Sequence, residues 1–316
     1  MKKRTIFSVM AIILIALTGG SVFAGGQKAA TSEAKQRTFA IVYPLIHPVF
    51  DACTKSAQEE AARQGVKLII DGPTVVDVNM QIQIMENLIA QQVDGIAIGA
   101  LEPTALVPVI NQAVDQGIKV IAFDTDAPDS KRLGYIGTDH TQWGLDLGEE
   151  IGRHLNGKGK IIIQMGAVTA LNLNQRLNGV RETLAEKYPG IQILDVQSGD
   201  GDPNKTLAVV ENLVESYPDF DAFAGMDGAT GPAVAVAWRA KGLTKPVFCG
   251  DDTDDIVQAV RDGIITCTLA QHQSLWGTTI IKELIDACDG KPVPELFDAG
   301  TTKVTRANVD QLYPQK

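Results

Sequence analysis

The sequence predicts an α/β protein of two similar lobes, each a doubly wound parallel sheet, joined by a hinge. Three observations predict it. From residue 38 onward, short β-branched runs alternate with amphipathic stretches of about 12–16 residues, the rhythm of parallel α/β units. The rhythm runs twice, with about five strand candidates in each half and no long linker between the halves. Polar residues gather directly after the strand runs, the edge at which an open parallel sheet binds ligands.

The first-half strands are expected at 38–43 (TFAIVY), 66–70 (VKLII), 94–99 (DGIAIG), 119–124 (KVIAFD) and 133–137 (LGYIG). The second-half strands are expected at 160–165 (KIIIQM), 191–196 (IQILDV), 221–226 (DAFAGM), 246–250 (PVFCG) and 264–270 (IITCTLA). Between them, Val78, Ile82, Met85 and Ile89 fall on one helical face. Pro103 stands where a first helical position tolerates it, because that N–H has no intrahelical partner. The expected lobes are 38–138 plus 272–298, and 139–271 plus 299–316.

Composition bounds the function. The chain has 316 residues, 45% hydrophobic and 21% charged, which is enough for two sizeable cores. Its formal charge is −10 and no basic stripe is present, so neither nucleic acid nor an anionic membrane surface suits it. Residues 1–24 have a secretory layout: Lys2-Lys3-Arg4, an apolar run from Ile6 to Leu17, then Val22-Phe23-Ala24 with small residues at −3 and −1 of a cut. Losing that segment removes three basic and no acidic residues, taking the charge from −10 to −13. The first cysteine is Cys53, so a lipoprotein cut is not expected, and the mature protein is expected in the periplasm. Residues 25–37 contain no large apolar side chain and read as a disordered tether.

The four cysteines, at 53, 249, 267 and 288, lack any CxxC pair, which argues against zinc. An exported protein is allowed disulfides but does not require them. Apolar neighbours favour buried free thiols, and Cys249 with Cys267, both in expected strands, is the pair with a chance to bond.

Nine short segments near the strand ends, 43–50, 99–102, 124–126, 138–140, 172–176, 200–202, 226–227, 251–255 and 271–273, hold acids, amides and a few aromatics. Lysine is absent from them, and Arg176 is their one arginine. Such a rim suits a neutral, hydroxyl-rich ligand better than a phosphate or carboxylate. FCGDDTDD at 248–255 is the sharpest case, with four aspartates in five positions after an apolar strand. Aspartates there serve as helix caps and dipole partners, the reading given to Asp254 or Asp255 and also open to Asp252. Asp251 is the first residue past the strand, beside a glycine, Gly250, that lets backbone approach closely, and it is assigned to ligand. The spacing lacks the DxDxDG pattern of a calcium loop. No metal and no cofactor is expected.

In order and at matching spacing, "VYPLIHPVFD", "DGIAIGALEPTAL", "GIKVIAFDTD", "YIGTDHTQWG", "NLNQRLNGV", "AFAGMDGATG" and "CGDDTDD…TLAQ" carry a family likeness. Over about residues 38–300 the chain resembles the periplasmic sugar-binding proteins of ABC transporters, type I periplasmic binding proteins of the ribose-binding and lac-repressor-like group. "DGPT" at 71–74 and "FDTD" at 123–126 are more similar to the rhamnose- and autoinducer-2-binding branch. The resemblance implies sugar contacts at Asp124 and Asp251 in opposite lobes, at Gln271 on the crossover strand, and at Asn172 or Asn174. It implies another at Met226, and it puts His47 and Phe50 where the family has a first-loop asparagine and aromatic. Tyr43, at a strand end, joins the candidates. Arg176 matches an arginine taken as structural, and Trp143 and Trp276, inside helices, are taken as packing.

The chain also departs from the pattern. Asn174 and Thr125 stand where ribose binders have arginines, Asp200 where a stacking aromatic is expected, Gly250 where the ribose binder has an aromatic, and Pro44 where the autoinducer-2 branch has a lysine. The fold therefore transfers and the ligand's identity does not. The expected function is capture of a neutral sugar or polyol and delivery to a membrane permease, by a monomer that closes around its ligand. A signal-binding protein, for autoinducer-2 or a chemoreceptor, is the alternative. An enzyme is disfavoured: Asp124 and Asp251 would permit acid–base work, but GxSxG, HExxH and a phosphate loop are missing. A DNA-binding regulator is disfavoured because a signal-like segment stands where a helix-turn-helix would be.

Overall fold

The structure is a computed structural model and describes residues 36–315. The signal-like segment and most of the tether lie outside the described residues. The tether's last two residues are held: Gln36 donates to the Gly65 carbonyl and Arg37 to Asp289.

Two six-stranded sheets form the frame. The first contains β1 (Thr38–Val42), β2 (Lys67–Asp71), β3 (Gly95–Ile98), β4 (Lys119–Phe123), β5 (Tyr135–Gly137) and β11 (Leu296–Asp298), in the order β11-β5-β4-β3-β1-β2. The second contains β6 (Lys158–Met165), β7 (Gly190–Ser198), β8 (Ala222–Gly225), β9 (Val247–Gly250), β10 (Cys267–Ala270) and β12 (Thr302–Val304), in the order β12-β10-β9-β8-β6-β7. All neighbours are parallel except β10 and β12. In both sheets the order reverses at the first strand. This is the topological switch point, where the loops of an open sheet part to leave a crevice.

Burial on both faces explains the unbroken apolar strands. Ala40 and Val42 face one core while Phe39 and Ile41 face the other. In the second sheet Ile162 faces one core and Ile161 with Ile163 the opposite one. Local chemistry sets the helix ends. Asp77, Asp139 and Asp202 accept from backbone N–H groups to start α2 (Val78–Ala90), α4 (His140–His154) and α6 (Pro203–Ser216). Gly65, left-handed at φ 66°, ends α1 (Asp51–Gln64).

Each sheet gains one strand beyond the expected five. β11 and β12 are three residues long and partly exposed, so neither carries an apolar run. The chain passes between the sheets after β5, after β10, and between β11 and β12. The helix after β10, α9 (Gln273–Cys288), packs on α1 and the first sheet, whereas α4 packs on α5 (Leu171–Lys187) and the second.

The Cys249–Cys267 pairing fails on register. Cys249 lies opposite Thr268 and Cys267 opposite Phe248, so the two thiols occupy opposite faces of the sheet. All four cysteines are free.

Candidate functional site

The two sheets present their carboxyl ends to a common cavity of about 120 Å³. One wall comes from the loop after β1 (His47, Val49, Phe50), the turn after β4 (Asp124, Thr125) and the start of α9 (Gln273, Trp276). The other wall comes from the loops after β6, β8 and β9 and the first turns of α5 (Asn172, Arg176). Leu101, from the first sheet's side, is buried in the second lobe's core cluster with Ala167, Ala170 and Leu173, so the lobes touch beside the cavity.

Asp124 and Asp251 are equivalent in the two lobes. Each follows a central strand, each is buried, and each has left-handed backbone, at φ 55° and 68°. Aspartate tolerates that region better than most residues with a Cβ. Asp124 receives long bonds of 3.4 Å from Asn172 Nδ2 to both carboxylate oxygens, across the cavity. Asp251 Oδ1 accepts from Gln271 Nε2 at 2.5 Å and from Gln273 Nε2 at 2.9 Å. Its other oxygen lies at Gly228, where a Cβ would stand 3.0 Å from it.

Asp227 is a third buried carboxylate on this cavity. Its Oδ1 accepts from Thr230 N (3.1 Å) and Thr230 Oγ1 (2.5 Å) at the start of α7 (Thr230–Lys241). Its Oδ2 is buried with no partner among the described residues. That oxygen lies at Gly166, where a Cβ would come within 2.7 Å. Trp276 Nε1, on the opposite wall, is likewise buried without a partner. A buried indole N–H and a buried carboxylate oxygen are costly to leave unmade.

Arg176 balances the acids. It stacks 4.6 Å from the Trp143 ring centroid and donates to the Met226 carbonyl (2.7 Å), Gln271 Oε1 (2.5 Å) and His140 Nδ1 (3.1 Å). Burial pushes Asp124 up to about 6, opposed by Arg176 and reinforced by Asp251. Burial also raises Asp251 and Asp227 above the ordinary carboxylate range, with Arg176 opposing in both cases. Burial and Arg176 together hold His140 well below the usual histidine value.

Of the expected contacts, His47, Phe50, Asp124, Asn172, Asp251 and Gln271 line the cavity. Three do not. Tyr43 stacks on Phe50 behind the wall, with its hydroxyl bonded to Thr54. Asn174 turns its amide back onto the Val168 and Ala170 carbonyls. Met226 packs in the core and offers only its carbonyl, to Arg176, so at the "MD" pair it is Asp227 that reaches the cavity. Gly250 has a different reason from close ligand approach: a Cβ there would meet Trp143 at 2.9 Å. In FCGDDTDD no aspartate side chain caps the helix. Thr253 is the N-cap of α8 (Asp254–Arg261) without a side-chain bond, Asp254 and Asp255 sit exposed in the first turn, and Asp252 accepts from Tyr313 Oη at 2.6 Å.

Sequence reasoning missed Asp227, Gln273, Trp276 and the cavity role of Arg176. Asp227 was legible as the first residue after the strand expected at 221–226. Trp276 was not, because one helical position cannot show that its ring meets a cleft rather than a core.

The chain is similar over most of its length to known sugar-binding proteins. A ribose import binding protein of Bacillus subtilis is 25% identical over 301 residues, covering 94% of this chain and 97% of that protein. The D-allose-binding periplasmic protein of Escherichia coli is 28% identical, covering 85% of this chain and 90% of its own length. The crystal structure of an ABC transporter solute-binding protein from Burkholderia graminis, in complex with D-arabinose, superposes with a TM-score of 0.85 at 34% identity, covering 90% of this chain and 99% of that one. These relatives are binding proteins, and the family works in the periplasm or outside the cell. Residues 39–292 match the periplasmic binding protein domain, and the chain belongs to that family.

Proposed function

We propose that this chain captures a neutral sugar or polyol between its lobes and delivers it to the permease of an ABC importer. One observation carries the reading: the cavity walls hold an unpartnered acceptor, Asp227 Oδ2, and an unpartnered donor, Trp276 Nε1, on opposite lobes. A hydroxyl satisfies both kinds of group, because it donates and accepts. Three buried carboxylates, Asp124, Asp227 and Asp251, against one buried guanidinium disfavour phosphorylated or acidic sugars. The aldoses bound by the relatives, D-arabinose, D-ribose and D-allose, are the first candidates.

The lobes correspond to 38–138 plus 272–298 and 139–271 plus 299–316, with the three chain crossings as hinge. Sheet membership of β11 and β12 supports that division. Ligand binds best where both walls reach it, so its binding energy favours the closed form that a permease recognises. The ligand leaves unchanged. Residues 1–24 are the export signal, and the mature protein works as a monomer. A chemoreceptor is a further candidate partner, and the sugar-carrying relatives do not favour a primary signalling role.

A thermal-shift screen of the mature protein against pentoses, hexoses, deoxysugars, polyols and sugar acids tests this. A neutral sugar at a hundredfold excess over its Kd adds about 2.7 kcal/mol of stability. Shifts from sugar acids alone would sink the reading.

A further inference from the structure

Asp124 and Asp251 share more than position. The N–H of each donates to the adjacent outer strand: Asp124 N to Ile136 O at 3.1 Å, and Asp251 N to Leu269 O at 3.0 Å. The carbonyl of each accepts from the side chain one residue earlier on that same strand. Tyr135 Oη reaches Asp124 O at 2.7 Å, and Thr268 Oγ1 reaches Asp251 O at 2.6 Å. The two lobes thus repeat one device, in which main-chain and side-chain bonds together pin a left-handed aspartate.

We infer that Tyr135 and Thr268 are equivalent positioning residues, which lock the two ligand-facing aspartates in left-handed backbone so that their carboxylates meet across the cavity. Neither side chain lines the cavity, so both act through the aspartates. The inference rests on the sugar-capture reading for its effect on affinity, but not for its effect on the backbone.

The physical need is clear. A non-glycine residue in the left-handed region is strained and persists only where its surroundings over-determine it. Here a buried carbonyl at the strand end has no ladder partner and is caught by a hydroxyl instead. In the first lobe the lock is doubled, because His140 Nε2 also reaches Asp124 O at 2.7 Å and Tyr135 Oη at 3.0 Å. Arg176 Nε donates to His140 Nδ1 at 3.1 Å, so the proton is on Nε2 and His140 is a donor to that carbonyl. Gly137 makes room for the device, since a Cβ there would strike the Tyr135 hydroxyl. Thr268 is the one side-chain donor to Asp251 O among the described residues, and it is fully buried. The second lobe is therefore the place to test it.

Thr268→Val removes the hydroxyl and keeps the shape, while Thr268→Ser keeps the hydroxyl and loses a methyl group. Calorimetry with D-arabinose, D-ribose and D-allose, at a temperature where every variant is folded, measures affinity. Crystal structures of the same variants without sugar measure φ at Asp251. T268V is expected to bind about tenfold more weakly and T268S within about threefold of wild type, with Asp251 leaving the left-handed region in T268V alone. A purely structural threonine would lower the melting temperature and leave affinity and φ unchanged, and that result overturns the inference, as does an equal loss in T268S and T268V. If the wild type binds none of the three sugars, the choice of aldose ligands fails, and Asp251 in T268V still decides the positioning role: φ near 68° overturns it.

Discussion

Asp251→Asn separates ligand chemistry from folding. Asparagine is as tolerant of the left-handed region as aspartate, so φ 68° survives the change, which Asp251→Ala would not ensure. Its carbonyl oxygen still accepts from Gln271 and Gln273. Those bonds weaken as the charge goes, and Arg176 loses an attractive partner. Against that, the cost of burying a carboxylate disappears, and it is the largest influence on this group. The opposing effects leave ligand-free stability within about 1 kcal/mol of wild type. Binding has no such offset. The second oxygen, at Gly228, becomes an N–H₂ donor facing ligand hydroxyls that need an acceptor. One hydrogen bond to a charged group contributes about 1.5–3 kcal/mol, and two such bonds would double that, so affinity falls about tenfold at least and up to about 10⁴-fold. Thermal melts beside titration calorimetry, using a sugar from the screen, measure both quantities. Wild-type affinity in D251N would refute the assignment of Asp251 to the ligand.

Three further outcomes are expected. Asp255→Ala, in an exposed first turn, should cost about 0.3–1 kcal/mol through the helix dipole and leave affinity unchanged in the same calorimetry. The folded value of Asp124, about 6, lies above its ordinary 3.8, so its ionisation opposes folding: the stability it contributes is present below about pH 4 and lost as pH rises through 6. Sugar affinity should run the other way, weakening about fivefold between pH 6 and 5 as the acceptor is protonated, and Asp124→Asn should flatten that profile. Finally, thiol titration of the denatured, unreduced protein should count four free thiols, and reductant should not move the melting temperature.

Much of the fold was legible in the sequence because parallel strands buried on both faces must be apolar throughout, and runs such as TFAIVY and DGIAIG show it directly. β11 and β12 were not, because short edge strands need no such run. At the site, Asp124 and Asp251 could be read from position, since the residue after a central strand points to the crevice. Asn174 and Met226 could not be excluded in that way. A one-residue difference on a helix or strand end turns a side chain from cavity to core, and only the packing of Leu173 and Arg176 reveals which. Trp276 and Thr268 illustrate the same limit in reverse: they are ordinary core residues by pattern, and their meaning lies in what their polar atoms meet. The Cys249–Cys267 question was in principle decidable from strand register, but register between parallel strands depends on crossovers that local sequence does not reveal.

The most direct test of the central claim is a crystal structure of the mature protein with the aldose that gives the largest thermal shift. The account predicts one sugar enclosed between the lobes, with hydroxyls within hydrogen-bond distance of Asp124 on one side and of Asp251 and Asp227 on the other, and with Trp276 Nε1 donating to one of them. A sugar held by a single lobe, or bound away from these three carboxylates, would contradict it.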